Sequence, residues 1–165
     1  MYDYSNLKFC PRCAGKLKEK EESGRIRKIC SNCGYILYRN PLPGTSAVIE
    51  KNSKILLVKR DEYPHINWWS LPGGFIEYNE SPEKAVKRET FEETGYKIKI
   101  KELLGVYFYT KNVEVNAIGP TYSAEIVGGR PKKNIKWFVP DKLPKKFAYS
   151  DQKKAIKDWV KFNKD

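Results

Sequence analysis

Three glutamates at helical spacing constrain this chain more than any other feature. Glu89, Glu92 and Glu93 stand at i, i+3 and i+4, which puts three carboxylates on one face of a helix. The surrounding residues predict that helix over Ser81 to Thr94. Ser81 can cap its start, Pro82 suits its first turn, and Gly95 follows its end. Two carboxylates about 5 Å apart repel by about 0.8 kcal/mol in bulk water and about 3 kcal/mol at an effective dielectric of about 20. Such crowding adds no stability unless something cationic sits between the groups. Oxygen donors at this density suit Mg²⁺ or Mn²⁺ rather than zinc. The bland alternative is a solvated acidic face, paired with nearby lysines. Arg88 projects about 100° around the helix from Glu89 and is better placed to pair with Glu80. Ala85, one turn before Glu89, leaves room above the carboxylates.

The acidic face has company. Leu71-Pro72-Gly73-Gly74 lies upstream, where glycines allow close backbone approach and expose carbonyls to a ligand. Gly74, Glu80, Arg88, Glu89, Glu92, Glu93 and Gly95 fit the pattern Gly-x5-Glu-x7-Arg-Glu-U-x-Glu-Glu-x-Gly-U, where U is bulky and aliphatic. Every fixed position matches. Both U positions depart, being Thr90 and Tyr96. On these residues the chain resembles the Nudix hydrolase family, from about Thr45 to Trp159. The resemblance implies an αβα sandwich around a mixed β-sheet and hydrolysis of nucleoside diphosphates linked to another group. It also implies that Glu89, Glu92 and Glu93 ligate the catalytic metal with the Gly74 carbonyl, and that Glu80 and Arg88 form an orienting ion pair. Many family members carry a further Glu near a late Trp-Phe. Here Trp137-Phe138 is preceded by Asn134, Ile135 and Lys136, so the general base is read as a box glutamate such as Glu92, with Glu114 or Glu125 as alternatives.

The first forty residues carry a different chemistry. Cys10-Pro11-Arg12-Cys13 and Cys30-Ser31-Asn32-Cys33 are two Cys-x-x-Cys pairs. A hairpin between them, Leu17 to Glu21 and Arg25 to Ile29 with its turn at Glu22-Ser23-Gly24, would join the two knuckles as a four-sulfur site. This pattern resembles a zinc ribbon, and the cofactor it implies is structural Zn²⁺ on Cys10, Cys13, Cys30 and Cys33. Disulfides or a redox pair are the competing readings. Asn40-Pro41-Leu42-Pro43-Gly44 is the natural boundary, because prolines and glycine interrupt both ladders and helices. The expected organisation is therefore a zinc ribbon at 1–40 and a catalytic domain at 41–165.

The 165 residues include 22 aromatics among 40% apolar residues, enough for a packed core. No apolar run approaches a membrane span, and no secretory signal is visible; a cytoplasmic protein is expected, with no membrane partner and with a homodimer compatible with the sequence. Formal net charge is +12. The excess sits at the ends: residues 1–40 hold 9 Lys/Arg against 4 Asp/Glu, residues 131–165 hold 11 against 4, and the middle is balanced. A basic surface attracts polyanions. Nucleic acid is accordingly a secondary partner reading, behind a nucleotide small-molecule substrate.

The second domain is predicted to contain strands at Thr45 to Glu50 and Lys54 to Lys59, joined by a hairpin turn. Others are expected at Lys97 to Lys101, at Leu103 to Thr110, within Ala117 to Val127 and at Ile135 to Val139. A second helix is predicted at Asp151 to Phe162, with Ala155, Ile156, Trp159 and Val160 on one face. Strands outnumbering two distant helices suggest an α+β arrangement with helices on the faces of a mixed sheet.

For substrate, the ribbon combined with this box looks like NADH pyrophosphatase and its NAD-capped RNA relatives. Their Ser-Gln-Pro-Trp-Pro-Phe-Pro segment is absent. Trp69-Ser70-Leu71-Pro72-Gly73-Gly74, Gly105-Val106-Tyr107 and Trp137-Phe138 resemble the ADP-ribose pyrophosphatase group. ADP-ribose or a nucleotide sugar therefore ranks first and NAD-type dinucleotides second. Trp68 and Tyr78 are the chosen pocket aromatics, while His65 reads as a loop residue. The reading of another class is a nucleic-acid-binding regulator that uses the Nudix domain as a nucleotide sensor.

Overall fold

The computed structural model describes residues 6–110 and 116–163. These fall into two compact units, one ending at Pro41 and the other beginning at Leu42.

In the first unit, β1 (Leu17–Glu22) and β2 (Arg25–Cys30) pair antiparallel, and β3 (Ile36–Leu37) adds to β2. Ser23 and Gly24 both have positive φ (52° and 72°), which gives the two-residue turn the twist that antiparallel strands need.

The second unit is built on alternation. β4 (Leu42–Lys51) and β5 (Lys54–Lys59) are nearly continuous apolar runs buried on both sides, as strands covered on both faces must be. Ala47, Ile49 and Leu56 point to one side, where they pack with Val86, Ile98, Tyr122 and Ala124. Val48, Ile55 and Leu57 point to the other, where they pack with Leu71, Leu104, Phe147 and Ile156. Val86 comes from helix α1 (Pro82–Thr94) and Ile156 from helix α2 (Ser150–Phe162). Each helix thus covers one face of the sheet, and the two apolar clusters are the two halves of an αβα core. The sheet is completed by β6 (Trp69–Ser70), β7 (Gly73–Phe75), β8 (Tyr96–Tyr109), β9 (Ala117–Gly129) and β10 (Ile135–Phe138). Its order is β10-β5-β4-β9-β8, with β6 on β5 and β7 on β4. Among the strands of the described residues, only β4 and β9 pair parallel, so the sheet is mixed.

Two expectations are corrected. Leu42, Pro43 and Gly44 already lie in β4 and pair with β9 and β7, where proline and glycine were expected to break the ladder. Pro43 lacks only its donor; its carbonyl still accepts from the Ile76 amide at 3.0 Å. The two strands expected at Lys97 to Lys101 and Leu103 to Thr110 are one strand, β8. Register irregularities between Ile100 and Glu102 and between Leu103 and Gly105 let it continue where the sequence pattern slips.

Helix α1 begins and ends as expected. Ser81 accepts from the Lys84 amide at 3.4 Å, and Gly95 closes the C-terminus at φ 77°. The helix has no basic residue in its last turn. Instead Lys132, from the segment after β9, donates through Nζ to the Glu92 carbonyl and through its amide to the Thr94 carbonyl at 2.9 Å. Thr90 is fully buried beneath the helix, and its hydroxyl has no partner among the described residues. An unpaired buried hydroxyl costs about 1–3 kcal/mol, so Thr90→Val is expected to stabilise the fold by about 1 kcal/mol, read as a raised urea midpoint at unchanged m-value.

Candidate active site

The site begins with two glycines that bring a strand against a helix. β7 pairs with β4 through Ser46↔Gly73 and Thr45↔Gly74. At Gly73 (φ 152°) a Cβ would stand 2.2 Å from the Thr45 carbonyl oxygen, so no other residue fits. The Gly73 amide donates to Glu93 Oε2 at 2.9 Å. At Gly74 a Cβ would lie 2.4 to 2.6 Å from the carboxylate atoms of Glu89. The missing side chain of Gly74 is therefore the space that Glu89 occupies, and that of Gly73 the space taken by β4.

Arg88 organises the rest. Its guanidinium holds Glu80 through two bonds, Nε to Oε1 at 3.0 Å and Nη2 to Oε2 at 2.8 Å, and also donates to the Phe75 carbonyl at 3.1 Å. This ties the turn before α1 to the helix and to β7. Hydrogen bonding to Arg88 holds the Glu80 carboxyl below its ordinary range. Arg88 was expected to turn away from the acidic face. It does not: Nη1 also reaches Glu89 at 2.7 Å and Glu92 at 3.2 Å. The long side chain covers a distance that the backbone angle alone does not suggest.

The three carboxylates share one side of α1 but differ in setting. Glu89 is largely enclosed, with its side chain 17% exposed, whereas that of Glu92 is 56% exposed. Glu93 lies deepest. Burial pushes its carboxyl up to about 7, against the Gly73 amide bond, which lowers it; the Glu89 charge adds to the rise, and Arg60 opposes it. The carboxylates are not gathered on a common point: Arg88 takes Glu89 and Glu92, and Gly73 takes Glu93. Among the described residues, the only group of three or more possible ligands whose donor atoms all fall within 4.8 Å is Cys10, Cys13, Cys30 and Cys33. The donor chemistry of the α1 face is nonetheless that of a hard divalent ion: carboxylate oxygens beside a backbone stripped of side chains.

A second group of residues, largely missed by sequence reasoning, lies around Arg60 just after β5. Arg60 sits 5.1 Å over the Tyr149 ring, and Tyr109 meets Tyr149 edge-on at 5.1 Å. His65 lies 5.0 Å from Trp68 and approaches the Tyr109 hydroxyl with Nε2 at 3.5 Å. The charge of Arg60 is felt at Glu93, so this aromatic and cationic cluster adjoins the acidic face. Asp151, in the first turn of α2, has a buried Oδ1 without a partner among the described residues, and burial raises its carboxyl above the ordinary range. Trp68 belongs to this cluster. Tyr78 does not: it is fully exposed in the turn before α1, without a ring contact among the described residues. Arg60 ends the apolar strand Ile55 to Val58, the one signal that could have flagged it; Tyr149 and Asp151 lie some ninety residues away and carried none. Glu125 pairs with Lys99 and Lys101 across β8 and β9. Glu114 lies outside the described residues.

The ribbon cysteines are brought together by the pairing of β1 with β2. Cys10 and Cys33 sulfurs are 3.7 Å apart, and Cys13 and Cys30 sulfurs 3.5 Å. None of the four is in a disulfide, and backbone amides of Arg12 and Asn32 point at Cys10 and Cys30 at 3.4 Å. Amide-to-sulfur bonds of this kind stabilise thiolates, and a four-sulfur set suits a closed tetrahedral ion such as zinc.

Comparison with known proteins agrees with this geometry. A NUDIX domain profile matches residues 41–159. The chain belongs to the Nudix family. A zinc-ribbon profile described as Nudix N-terminal matches residues 8–39. This Nudix hydrolase is 39% identical over 134 residues to the ADP-ribose pyrophosphatase of Methanocaldococcus jannaschii, covering 78% of each chain. It is 35% identical over 94 residues to the NAD-capped RNA hydrolase NudC of Haemophilus influenzae, covering 56% of this chain and 35% of that one. Its fold superimposes on a NUDIX hydrolase from Nitrosomonas europaea with a TM-score of 0.77 at 28% identity, covering 94% and 91% of the two chains. The chain is thus an enzyme of pyrophosphate hydrolysis. No helix among the described residues is long and apolar enough to cross a membrane.

Two outcomes follow from the packing. Gly74→Ala is expected to fold, because the Cβ displaces only the flexible end of Glu89, but to lose about a hundredfold in turnover. Gly73→Ala meets backbone instead and is expected to destabilise the protein, so circular dichroism and rate measurements separate the two variants. In the ribbon, Cys30→Ser is expected to hold less zinc than the parent when both are loaded with the metal, detected by atomic absorption, and to lose the ribbon's strand signal.

Proposed function

We propose that this Nudix hydrolase cleaves the pyrophosphate bond of a nucleoside diphosphate linked to a second group, and that ADP-ribose or a nucleotide sugar is its substrate. The observation that carries this reading is the packing of Gly73 and Gly74 against Glu93 and Glu89. It sets the backbone of β7 directly against two of the three carboxylates, the Gly73 amide on Glu93 and Gly74 beside Glu89. The similarity to the archaeal ADP-ribose pyrophosphatase, over 78% of both chains, supports the substrate class.

Mg²⁺ or Mn²⁺ would be held by Glu89, Glu92, Glu93 and the Gly74 carbonyl. Such an ion, when bound, neutralises the diphosphate and acidifies a coordinated water. The chain's own residues supply the rest. Glu80 and Arg88 fix the loop and the helix to each other. Gly73 orients Glu93 through its amide. Glu92, the most exposed of the three carboxylates, takes the proton from the attacking water as general base. Arg60 offers a cation to the diphosphate, and its ring neighbours Tyr149, Tyr109 and Trp68 offer flat surfaces to a base or sugar. Attack at phosphorus then releases a nucleoside monophosphate and a phosphorylated remainder. No nucleophilic side chain is needed, and His65 serves in the loop. Zn²⁺ on Cys10, Cys13, Cys30 and Cys33 would hold the ribbon.

A second reading, an NAD-type dinucleotide as substrate, is favoured by the ribbon itself and by the likeness to the NAD-capped RNA hydrolase. A product assay over a nucleotide panel with Mg²⁺ and Mn²⁺ decides between them. The first reading expects AMP and ribose phosphate from ADP-ribose at a rate well above that of NADH cleavage; the reverse order selects the second. Glu92→Gln and Glu93→Gln are each expected to lower turnover by about 10²–10⁴-fold without unfolding, and near-normal rates in both variants would defeat the assignment.

A further inference from the structure

The zinc ribbon sorts its charges by face. Residues paired across antiparallel strands share a face, and alternate residues along a strand switch faces. The register Lys18↔Ile29, Lys20↔Arg27 and Glu22↔Arg25 therefore puts Lys18, Lys20, Arg25 and Arg27 on one surface, with Glu22 as its acid. The opposite surface receives Glu19 and Glu21, with Glu19 facing Lys28. Among the described residues, none of the four cations on the first surface is in an ion pair. Lys20 stands directly opposite Arg27, a like-charge neighbour pair that weakens strand pairing. Beside it, Tyr38 is 52% exposed, with the Arg27 guanidinium 4.6 Å from its ring centre.

We infer that this face of the ribbon binds single-stranded nucleic acid. Lys18 and Lys20 are two residues apart on one strand, as are Arg25 and Arg27 on its neighbour, a repeat of about 6.8 Å. Two parallel rows of cations at that repeat follow an extended sugar-phosphate backbone. Tyr38, already held by Arg27, gives an unpaired base a ring to stack on. Cationic tracks with an adjoining aromatic are how single strands are bound without sequence preference. A lipid surface fits less well, because the exposed aliphatic residue of the hairpin, Ile26 at 68%, lies on the other face. The bound polyanion also accounts for the Lys20–Arg27 pair, whose repulsion it relieves. The inference concerns the ribbon alone and stands whichever nucleotide the catalytic unit hydrolyses.

The test is fluorescence anisotropy with the zinc-loaded full chain and a labelled oligoribonucleotide, the DNA strand of the same sequence, and its duplex. Both single strands are expected to bind more tightly than the duplex. Lys20→Gln with Arg27→Gln should weaken binding at least tenfold and reduce the slope of log affinity against log salt by about 1.4, the loss of two phosphate contacts. Tyr38→Leu should weaken binding about tenfold with little change in that slope, and Tyr38→Phe should restore it. Zinc content and nucleotide hydrolysis should be unaltered in all these variants. The inference is overturned if single strands do not bind, if the Lys20/Arg27 variant binds as tightly as the parent, or if anionic phospholipid vesicles bind in place of single strands.

Discussion

The candidate active site depends on the contact between two successive glycines of β7 and a helix rich in carboxylates. Gly73 and Gly74 let β7 approach α1 closely enough for a backbone amide to hold Glu93 and for Glu89 to fill the position of an absent Cβ. Any larger residue would either push β7 off β4 or push Glu89 out of the site. The same contact buries Glu93, which makes its ionisation costly and leaves Glu92 as the carboxylate most open to water. One steric fact thus places chemically identical groups in different settings.

Arg88 supports that arrangement from the other side. Three glutamates on one helix face repel one another, and a single guanidinium with a forked set of donors can serve several of them at once. It bonds to Glu80, Glu89, Glu92 and the Phe75 carbonyl. The turn that leads into α1, the helix itself and β7 are joined through one side chain. The helix terminus is completed from a distance by Lys132, so elements on both sides of the long β8–β9 hairpin converge on α1.

The ribbon shows the same logic in another form. Its Lys20–Arg27 pair, like the glutamates of α1, places like charges side by side where folding alone gains nothing. In each case like charges stand closer together than strand or helix stability alone would favour. Thr90 is a different kind of departure: among the described residues its buried hydroxyl finds no partner, so it weakens the fold.

The local order of this protein was legible in its residues. The spacing of Glu89, Glu92 and Glu93, the cap at Ser81, the stop at Gly95 and the paired cysteines are short-range patterns, and short-range geometry decides them. The β-rich runs at Thr45 to Glu50 and Lys54 to Lys59 likewise read as strands joined by a hairpin turn. What the sequence could not determine was set by contacts across many residues. That β4 continues through Pro43 depends on β7 and β9 lying alongside it. That Arg88 reaches Glu92 as well as Glu80 depends on how a long side chain settles among neighbours. The meeting of Arg60 with Tyr149, nearly ninety positions later, depends on two loops emerging at one end of the sheet. Helix periods and metal knuckles are written within a few residues, whereas a pocket is written only when the chain returns to itself.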